Sequence, residues 1–538
     1  MAKNKAQSFM AGVMMVVGSQ IAIKLLGLLY RIVITNIDGF GDAGNGYYNF
    51  GYQIYVLLLA ISSVGIPNAM AKLISEKCAT DDFYGAYRIF KVALVLFGII
   101  GGLLSVCLFV FAPYVSVFFG SEKIVYTLRV LSPALFFVAL SSVVRGFFQG
   151  MHNMRATSTS QVLEQLIKCV STVVIVMCMT GYAPEYMAAG ATMATTLSTF
   201  VSVVYLAFFY ASNRSDIKDR LRESKPFVKK SFIKVAKAIL YVSIPISLGS
   251  IIASVNRVVD LMTVVRGLEI AFSGVIEGAQ ALNDNAVRLS GMLSKGDIII
   301  NFPLALNIAF STVLVPTVAG ALAKGDVKTA SDKVSYSLLV SIVIALPATV
   351  GCMVLSQNIF TLLYPNASDG AELFAMSAVT IFFSAITQTN SGSLQGMGKV
   401  FVPATALLIG GVLKLVVNLV LVPIPEINIY GAPIGSIICQ ATGCIITFAV
   451  MRKNLKVKLP FVKYIVKPVF ATAVMGVVVW GVAKSGVILG NTIATILSIG
   501  AGVAVYFVMV FIILKVFDDE ELKQFPMGRK LIKIAHII

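Results

Sequence analysis

The sequence predicts an all-α polytopic membrane protein with 14 transmembrane helices, arranged as two six-helix lobes in a parallel pseudo-twofold repeat plus two C-terminal helices. Its 538 residues are 58% hydrophobic and only 13% charged, whereas a soluble domain is about 25% charged. Apolar runs of about 20 residues recur along the chain, and each can cross a hydrocarbon core roughly 30 Å thick. These two observations set the fold class, and an internal repeat sets the arrangement.

The predicted helices follow the apolar runs. They cover residues 10–34, 48–74, 87–112, 125–150, 158–180, 186–211, 232–263, 297–322, 333–356, 371–396, 402–423, 430–451, 462–483 and 490–515. The first run is too long for the apolar region of a cleavable signal peptide, so we expect it to be the first transmembrane helix.

Charge alternates between the loops, and this predicts the orientation of the chain. The connections 213–230 and 452–458 are rich in lysine and arginine, whereas 36–49 and 365–372 contain neither. The positive-inside rule therefore places both termini in the cytoplasm. The net charge of +18 is explained by these loops and by contact with anionic lipid. No basic stripe with interleaved aromatic residues indicates nucleic-acid binding.

A repeated motif divides the chain into related halves. Gln149-Gly150-Met151 is followed 19 residues after the glutamine by Lys168, and Gln395-Gly396-Met397 is followed at the same distance by Lys414. A second pair, Ser62 to Pro67 and Ser311 to Pro316, repeats at a similar offset. Helices 2, 4 and 5 thus match helices 8, 10 and 11.

The repeat predicts three regions. An N-terminal lobe covers residues 1–225, a C-terminal lobe covers 226–458, and helices 13 and 14 with a cytoplasmic tail cover 459–538. Parallel repeats of this kind are related by an axis along the membrane normal, with the substrate site between them. Residues 266–295 are extra in the second half and form either an external amphipathic helix or a loop, with a gate and a passive insertion both open.

Ionisable side chains within the predicted helices are the candidates for function, because each is costly at a helix centre, by about 2.5–3.5 kcal/mol. The cations outnumber the carboxylates, so the sequence predicts an anionic substrate. The cations are Lys24, Arg31, Arg145, Lys168, Arg257 and Lys414, and the carboxylates are Glu164 and Asp260.

Each candidate also has a structural explanation. Arg31 and Arg145 lie near helix ends, where a long side chain can reach the interface. Glu164 with Lys168, and Arg257 with Asp260, are spaced to pair on one helix face. These pairs leave Glu164, Arg257 and Asp260 as either ion-pair or coupling residues. Lys24 and Lys414 have no acidic residue within one turn, so both are expected to line a polar cavity.

Other chemistry is not indicated. The seven cysteines are scattered, the two histidines are far apart, and the sequence has neither a metal motif nor a phosphate-binding loop. We therefore expect no cofactor, no metal and no enzymatic activity. Three classes stay open: a flippase for an amphiphilic anion, a cation-coupled multidrug exporter, which should have carboxylates in its cavity, and a membrane-embedded transferase, which should have a clustered acid, base or metal motif.

Several motifs resemble the multidrug/oligosaccharidyl-lipid/polysaccharide (MOP) exporter superfamily. They are Gly65-Ile-Pro67 with Ser75-Glu76, Arg145-Gly-Phe-Phe-Gln-Gly150, Leu394-Gln-Gly-Met-Gly-Lys399, and Lys414-Leu-Val-Val-Asn418 followed by Pro423. With 14 helices, the chain looks like the branch of lipid-linked oligosaccharide flippases that includes MurJ and stage V sporulation protein B.

The resemblance implies that a polyprenyl diphosphate-linked saccharide, such as the peptidoglycan precursor lipid II, moves from the inner to the outer leaflet by alternating access. Such flippases carry essential basic residues in helices 1, 2 and 8. Lys24 and Arg31 match the pair in helix 1, whereas helix 2 has no basic residue at 55–63 and the cation nearest to the expected position in helix 8 is Lys295. Another polysaccharide precursor therefore stays open as the substrate.

The predicted diphosphate contacts are Lys24, Arg31 and Lys414, assisted by Lys168 and Arg145. A cationic site of this kind suits a diphosphate, because charge-assisted hydrogen bonds to phosphate are strong. The expected partners are the lipid-linked substrate, membrane lipids and cell-wall synthesis enzymes. We expect a monomer in the bacterial plasma membrane.

Overall fold

The computed structural model describes residues 9–63, 65–151, 153–224, 231–455, 457, 459–485 and 490–522, and all regular structure in them is helical. The α-helices are α1 Phe9–Thr35, α2 Gly41–Ser62, α3 Ile66–Cys78, α4 Phe83–Phe118, α5 Val125–Gly150, α6 Arg155–Cys178, α7 Pro184–Ser212, α8 Arg214–Arg222, α9 Phe232–Phe272, α10 Ala279–Ala323, α11 Val327–Val354, α12 Ser356–Leu363, α13 Ala371–Gly396, α14 Phe401–Leu421, α15 Gly431–Leu455, α16 Lys467–Lys484, α17 Asn491–Phe507 and α18 Asp519–Leu522. Short 3-10 helices cover Glu122–Ile124 and Asn428–Tyr430, and π-helical turns cover Val462–Val466 and Val508–Ile513.

The predicted class of an all-helical polytopic membrane protein is confirmed. In the part of the chain that the structure describes, 12 spans are long and apolar enough to cross a membrane. The predicted count of 14 is not confirmed. The two predicted spans outside this set, 10–34 and 297–322, fall within α1 and α10.

The second predicted helix, 48–74, is interrupted between α2 and α3. Pro67 lies in the first turn of α3 and has no N–H to donate to the carbonyl of Ser63. That carbonyl accepts instead from the Ile66 amide at 3.3 Å. Gly65 at the break lies so close to α9 that a Cβ there would be 2.2 Å from Ser247 Oγ, so no larger residue fits without a shift.

The predicted insertion, 266–295, is neither a loop nor a separate helix. It lengthens α9 to Phe272 and starts α10 at Ala279, with a short turn between them that ends at Gly278 (φ +97°). The first part of α10 packs closely on α2, because a Cβ at Gly46 would lie 2.2 Å from the carbonyl oxygen of Val287. The extra residues therefore add helix–helix packing.

The chain forms two compact units, one up to Gly291 and one from Met292. The apolar core of the first lies mainly among α3, α4, α5 and α9. The core of the second lies among α10, α11, α13, α15, α16 and α17. The lobes expected from the sequence repeat, with boundaries after residues 225 and 458, stay a prediction.

The repeated motif has a packing explanation in both units. Gly146 and Gly150 lie one turn apart on α5, and a Cβ on either would come within 2.6 Å of Met70 or Ile74 of α3. In the second unit, Cβ atoms at the equivalent Gly392 and Gly396 would lie 2.6 Å and 2.7 Å from backbone oxygens of α10. Two glycines spaced by four residues let helix backbones approach closely in a membrane.

Candidate anion-binding site

A buried lysine in the first unit is positioned by the packing of α6 on α1. The two helices meet at Gly27, where an added Cβ would lie 3.6 Å from Nε2 of Gln165. Lys168 is almost one turn after Gln165, and Tyr30 is almost one turn after Gly27. The close approach therefore brings Lys168 beside Tyr30 and within reach of α2.

Lys168 is only 7% exposed, and its ammonium is surrounded by tyrosines. Its Nζ donates to the hydroxyl of Tyr52 at 3.2 Å. It also lies 4.3 Å from the centroid of the Tyr52 ring and 5.8 Å from that of Tyr30. Within the described ranges it has no ion pair with a carboxylate, so its charge is stabilised by cation–π contacts and by neutral tyrosine hydroxyls.

A second buried cation shares these aromatic rings. Arg31 is 7% exposed, and its guanidinium lies 4.2 Å from the centroid of the Tyr48 ring. The Tyr48 and Tyr52 rings stack at 5.6 Å, and the hydroxyls of Tyr48 and Tyr30 are 3.1 Å apart. Nη1 of Arg31 is buried and has no hydrogen-bond partner among the described residues.

We call these five residues the cation–tyrosine cluster: Tyr30, Arg31, Tyr48, Tyr52 and Lys168. It contains two buried positive charges, an unused guanidinium nitrogen and no carboxylate. Leaving such charges buried without counter-ions is costly. The arrangement can therefore bind an anion that enters between α1, α2 and α6.

Arg145 differs from these two cations because its partners are protein side chains. Its Nη2 lies 2.6 Å from Glu164 Oε2 and 2.8 Å from Ser202 Oγ, and its Nε donates to Ser160 Oγ at 2.9 Å. Glu164 on α6 thus pairs with Arg145 of the neighbouring helix α5, and not with Lys168 of its own helix. This network joins α5, α6 and α7.

The remaining sequence candidates of the first unit lie on α1 and α9. Lys24 is exposed, almost two turns before Arg31. Arg257 is exposed on α9. Asp260 is half-buried on the same helix as Arg257.

Lys414 belongs to the second unit. It is 7% exposed on α14, and its stem packs against α15, where a Cβ at Gly435 would lie 3.2 Å from Lys414 Cγ. In the described residues, no group of three or more His, Cys, Asp or Glu side chains is placed to hold a metal ion.

A family model described as "Polysaccharide biosynthesis protein" matches residues 9–322, which is more than half of the chain. The chain belongs to the polysaccharide biosynthesis protein family. A second model, MatE, matches residues 290–420. The predicted resemblance to the MOP exporter superfamily is confirmed by these matches and by the relatives below.

Two relatives of this chain come from Bacillus subtilis (strain 168). The lipid II flippase MurJ is 26% identical over 443 residues, which are 78% of this chain and 78% of that protein. Stage V sporulation protein B is 23% identical over 536 residues, which are 98% of this chain and 99% of that protein.

Two solved structures match the fold of this chain with nearly equal TM-scores. Lipid II flippase MurJ in an inward closed conformation has a TM-score of 0.67 and 15% identity, covering 91% of this chain and 96% of its own. An inward-facing multidrug resistance MATE transporter of the MOP superfamily has a TM-score of 0.66 and 17% identity, covering 82% and 98%. The fold therefore does not distinguish a flippase from a drug exporter.

Sequence reasoning missed the tyrosines of the cluster. Tyr48 and Tyr52 are four residues apart on α2, and this aromatic spacing on a helix without basic residues was the available signal.

The sequence analysis also left the role of Lys295 open. Lys295 is fully buried and donates to the carbonyls of Ala367 and Asp369 at 2.5 Å and 2.9 Å, so it anchors the turn before α13.

Proposed function

We propose that this protein is a membrane flippase that moves a polyprenyl diphosphate-linked saccharide from the inner to the outer leaflet of the bacterial plasma membrane by alternating access. The observation that carries the proposal is the cation–tyrosine cluster, with two buried cations and no carboxylate. Membership of a family whose relatives are flippases and transporters supports the general class. The similarity to the lipid II flippase MurJ makes lipid II the first substrate to test.

A diphosphate fits the chemistry of the cluster. Arg31 offers a buried, unused N–H group in a planar fork, which suits recognition of phosphate oxygens. Lys168 offers a second charge that acts as a compact point donor. In a lipid-linked saccharide the diphosphate is esterified at both ends, so each phosphate carries one negative charge and together they offset both cations. The uncharged polyprenyl chain can stay in the lipid while the head group is bound.

The roles of the other candidates differ. Arg145 holds α5, α6 and α7 together through Glu164, Ser160 and Ser202, so we assign it to the structure of the site and not to substrate contact. Lys24 and Lys414 remain proposed substrate contacts, because each is a cation on a predicted membrane helix.

The second candidate function is a cation-coupled multidrug exporter, because the MATE fold matches as well as that of MurJ. A cavity for cationic drugs would need available carboxylates. Glu164 is already paired with a buried arginine, which disfavours this role for it.

The test is leaflet accessibility of a labelled polyprenyl diphosphate saccharide in liposomes that contain the purified protein and no ATP. We expect flipping to exceed that in empty liposomes. Arg31→Gln should slow it about tenfold or more, because a charge-assisted hydrogen bond contributes about 1.5–3 kcal/mol. Arg129→Gln is the matched control, since Arg129 is exposed on α5 and lies 5.8 Å from the Phe109 ring.

Two results would contradict the proposal. One is equal loss of flipping in both arginine variants, which would show that Arg31 has no special role. The other is an absence of flipping together with proton- or sodium-driven efflux of a cationic dye. That second result would assign the protein to drug export.

A further inference from the structure

The ammonium of Lys168 has weak hydrogen-bond acceptors within the described part of the chain. An ammonium group has three N–H donors, and one bond, to the Tyr52 hydroxyl, is observed. Its length of 3.2 Å exceeds the roughly 2.7–2.9 Å of a charge-assisted bond to an anionic oxygen. A phosphate oxygen would therefore be a much better partner for this cation than the hydroxyl.

The hydroxyl and the ring of Tyr52 act on Lys168 in separate ways. The ring lies 4.3 Å from Nζ, and it also stacks on Tyr48, which carries Arg31 on its face. The hydroxyl accepts a hydrogen bond from Nζ. Tyr52 is half-buried whereas Tyr48 is 1% exposed, so the Tyr52 side is the open side of the pair.

We propose that Tyr52 is a positioning residue whose hydroxyl holds Lys168 in the empty transporter and is displaced by a phosphate oxygen of the ligand. This inference rests on the proposed function, because it assumes that a diphosphate binds at the cluster. It adds a residue that acts on release. When the ligand leaves, the hydroxyl takes back the ammonium and lowers the free energy of the empty state.

A transporter has to bind its substrate and also release it. A hydrogen-bond acceptor that competes with the substrate for Lys168 favours release. Without the hydroxyl, the ligand-free state loses one hydrogen bond to a buried ammonium, whereas the bound state is almost unchanged. The affinity for the diphosphate then rises and release becomes slower. A residue with a purely structural role gives the opposite result, because its removal weakens binding.

The experiment measures the Kd of farnesyl diphosphate for the purified full-length protein in detergent by isothermal titration calorimetry. Tyr52→Phe removes the hydroxyl and keeps the ring. We expect its Kd to fall about fivefold, the factor that corresponds to the loss of one hydrogen bond of about 1 kcal/mol from the empty state. In liposomes, its maximal flipping rate and its half-saturating substrate concentration should both fall.

The matched control is Tyr55→Phe, which removes a hydroxyl from the same helix. The Tyr55 ring is tilted against Tyr52 at 5.7 Å, and no hydrogen bond joins its hydroxyl to Lys168. Its Kd should equal that of the unmodified protein. The Lys168→Gln change weakens binding, and adding Tyr52→Phe to it should give no tightening, since the two residues act through one contact.

The outcomes separate this inference from the proposed function. If the unmodified protein binds no farnesyl diphosphate, both ideas fail. If it binds, but a Tyr52→Phe protein with a normal gel-filtration profile has an unchanged or higher Kd, the positioning role is wrong and the flippase proposal stands. Tightening that persists in the Lys168→Gln background would likewise overturn the role of Tyr52.

Discussion

At the scale of single residues, the kind of partner that a buried cation has distinguishes a structural role from a functional one. Arg145 has three protein acceptors, one of them a carboxylate, whereas the described contacts of Lys168 are with neutral tyrosines. Both residues are 7% exposed, so burial alone does not distinguish them. The difference predicts that disturbing the partners of Arg145 lowers the stability of the protein.

Removing the carboxylate of Glu164 should destabilise the protein. Glu164→Ala leaves the guanidinium of Arg145 buried without its counter-ion, and breaking such a pair costs about 3–5 kcal/mol. Because the Glu164 side chain is 24% exposed, we expect the low end, about 3 kcal/mol. The measurement is denaturant unfolding of the purified protein in detergent micelles.

Glu185→Ala is the control for this change. Lys123 lies 3.7 Å from Glu185 but keeps Asp284 at 2.8 Å, so the loss should stay below about 1 kcal/mol. Equal losses of unfolding free energy in the two variants would show that the Arg145–Glu164 pair contributes no more to stability than an exposed ion pair.

The sequence predicted the two cations of the cluster but not their surroundings. Arg31 and Lys168 stand out because charge is rare in apolar helices. Tyrosines are common in membrane helices near the interface, so Tyr30, Tyr48 and Tyr52 carried no comparable signal. The spacing of Glu164 and Lys168 suggested a pair within α6. That suggestion is wrong because Arg145 reaches Glu164 from α5 at 2.6 Å.

At the scale of elements, uninterrupted helices were predictable and their breaks were not. The bounds predicted for α5 and α13, 125–150 and 371–396, agree with the structure at both ends. The interruption before α3 and the extension of α9 and α10 depend on local hydrogen bonding and on packing against α2. Hydropathy reports neither of these, because it carries no information on hydrogen bonds or on contacts between helices.

The glycine pairs on α5 and α13 give a prediction at this scale. Gly150→Ala places a Cβ 2.6 Å from Ile74 Cβ, and Gly396→Ala places one 2.7 Å from the Val315 carbonyl oxygen. Overpacking of this kind costs about 1–3 kcal/mol. Thermal unfolding in detergent should show a lower Tm for both variants.

Gly500→Ala is the matched control, since a Cβ at Gly500 of α17 has no atom within 4 Å. Its Tm should be unchanged or slightly higher, because alanine favours a helix over glycine. A lower Tm in all three variants would mean that close packing is not the cause.

At the scale of the whole molecule, the orientation predicted from loop charge can be tested by cysteine labelling. In a protein whose seven native cysteines are replaced, Asp38→Cys in the loop before α2 should react with a membrane-impermeant maleimide in intact cells. Ser215→Cys on α8 should react only after the membrane is opened. Both positions are exposed, so accessibility does not favour either. The reverse pattern would place both termini outside.

The shared glycine packing of α5 on α3 and of α13 on α10 also bears on how the chain folds during synthesis. Because the two glycine-containing helix faces are similar, a helix of one half could pack on the partner helix of the other half, for example α13 on α3. Translation proceeds at about 5–20 residues per second, and N-terminal segments fold first. Since α3 and α5 are both made before residue 151, they can pair several seconds before α10 and α13 leave the ribosome. The order of synthesis thus protects each half from mispairing, and a circular permutant that separates α3 from α5 would lose this protection.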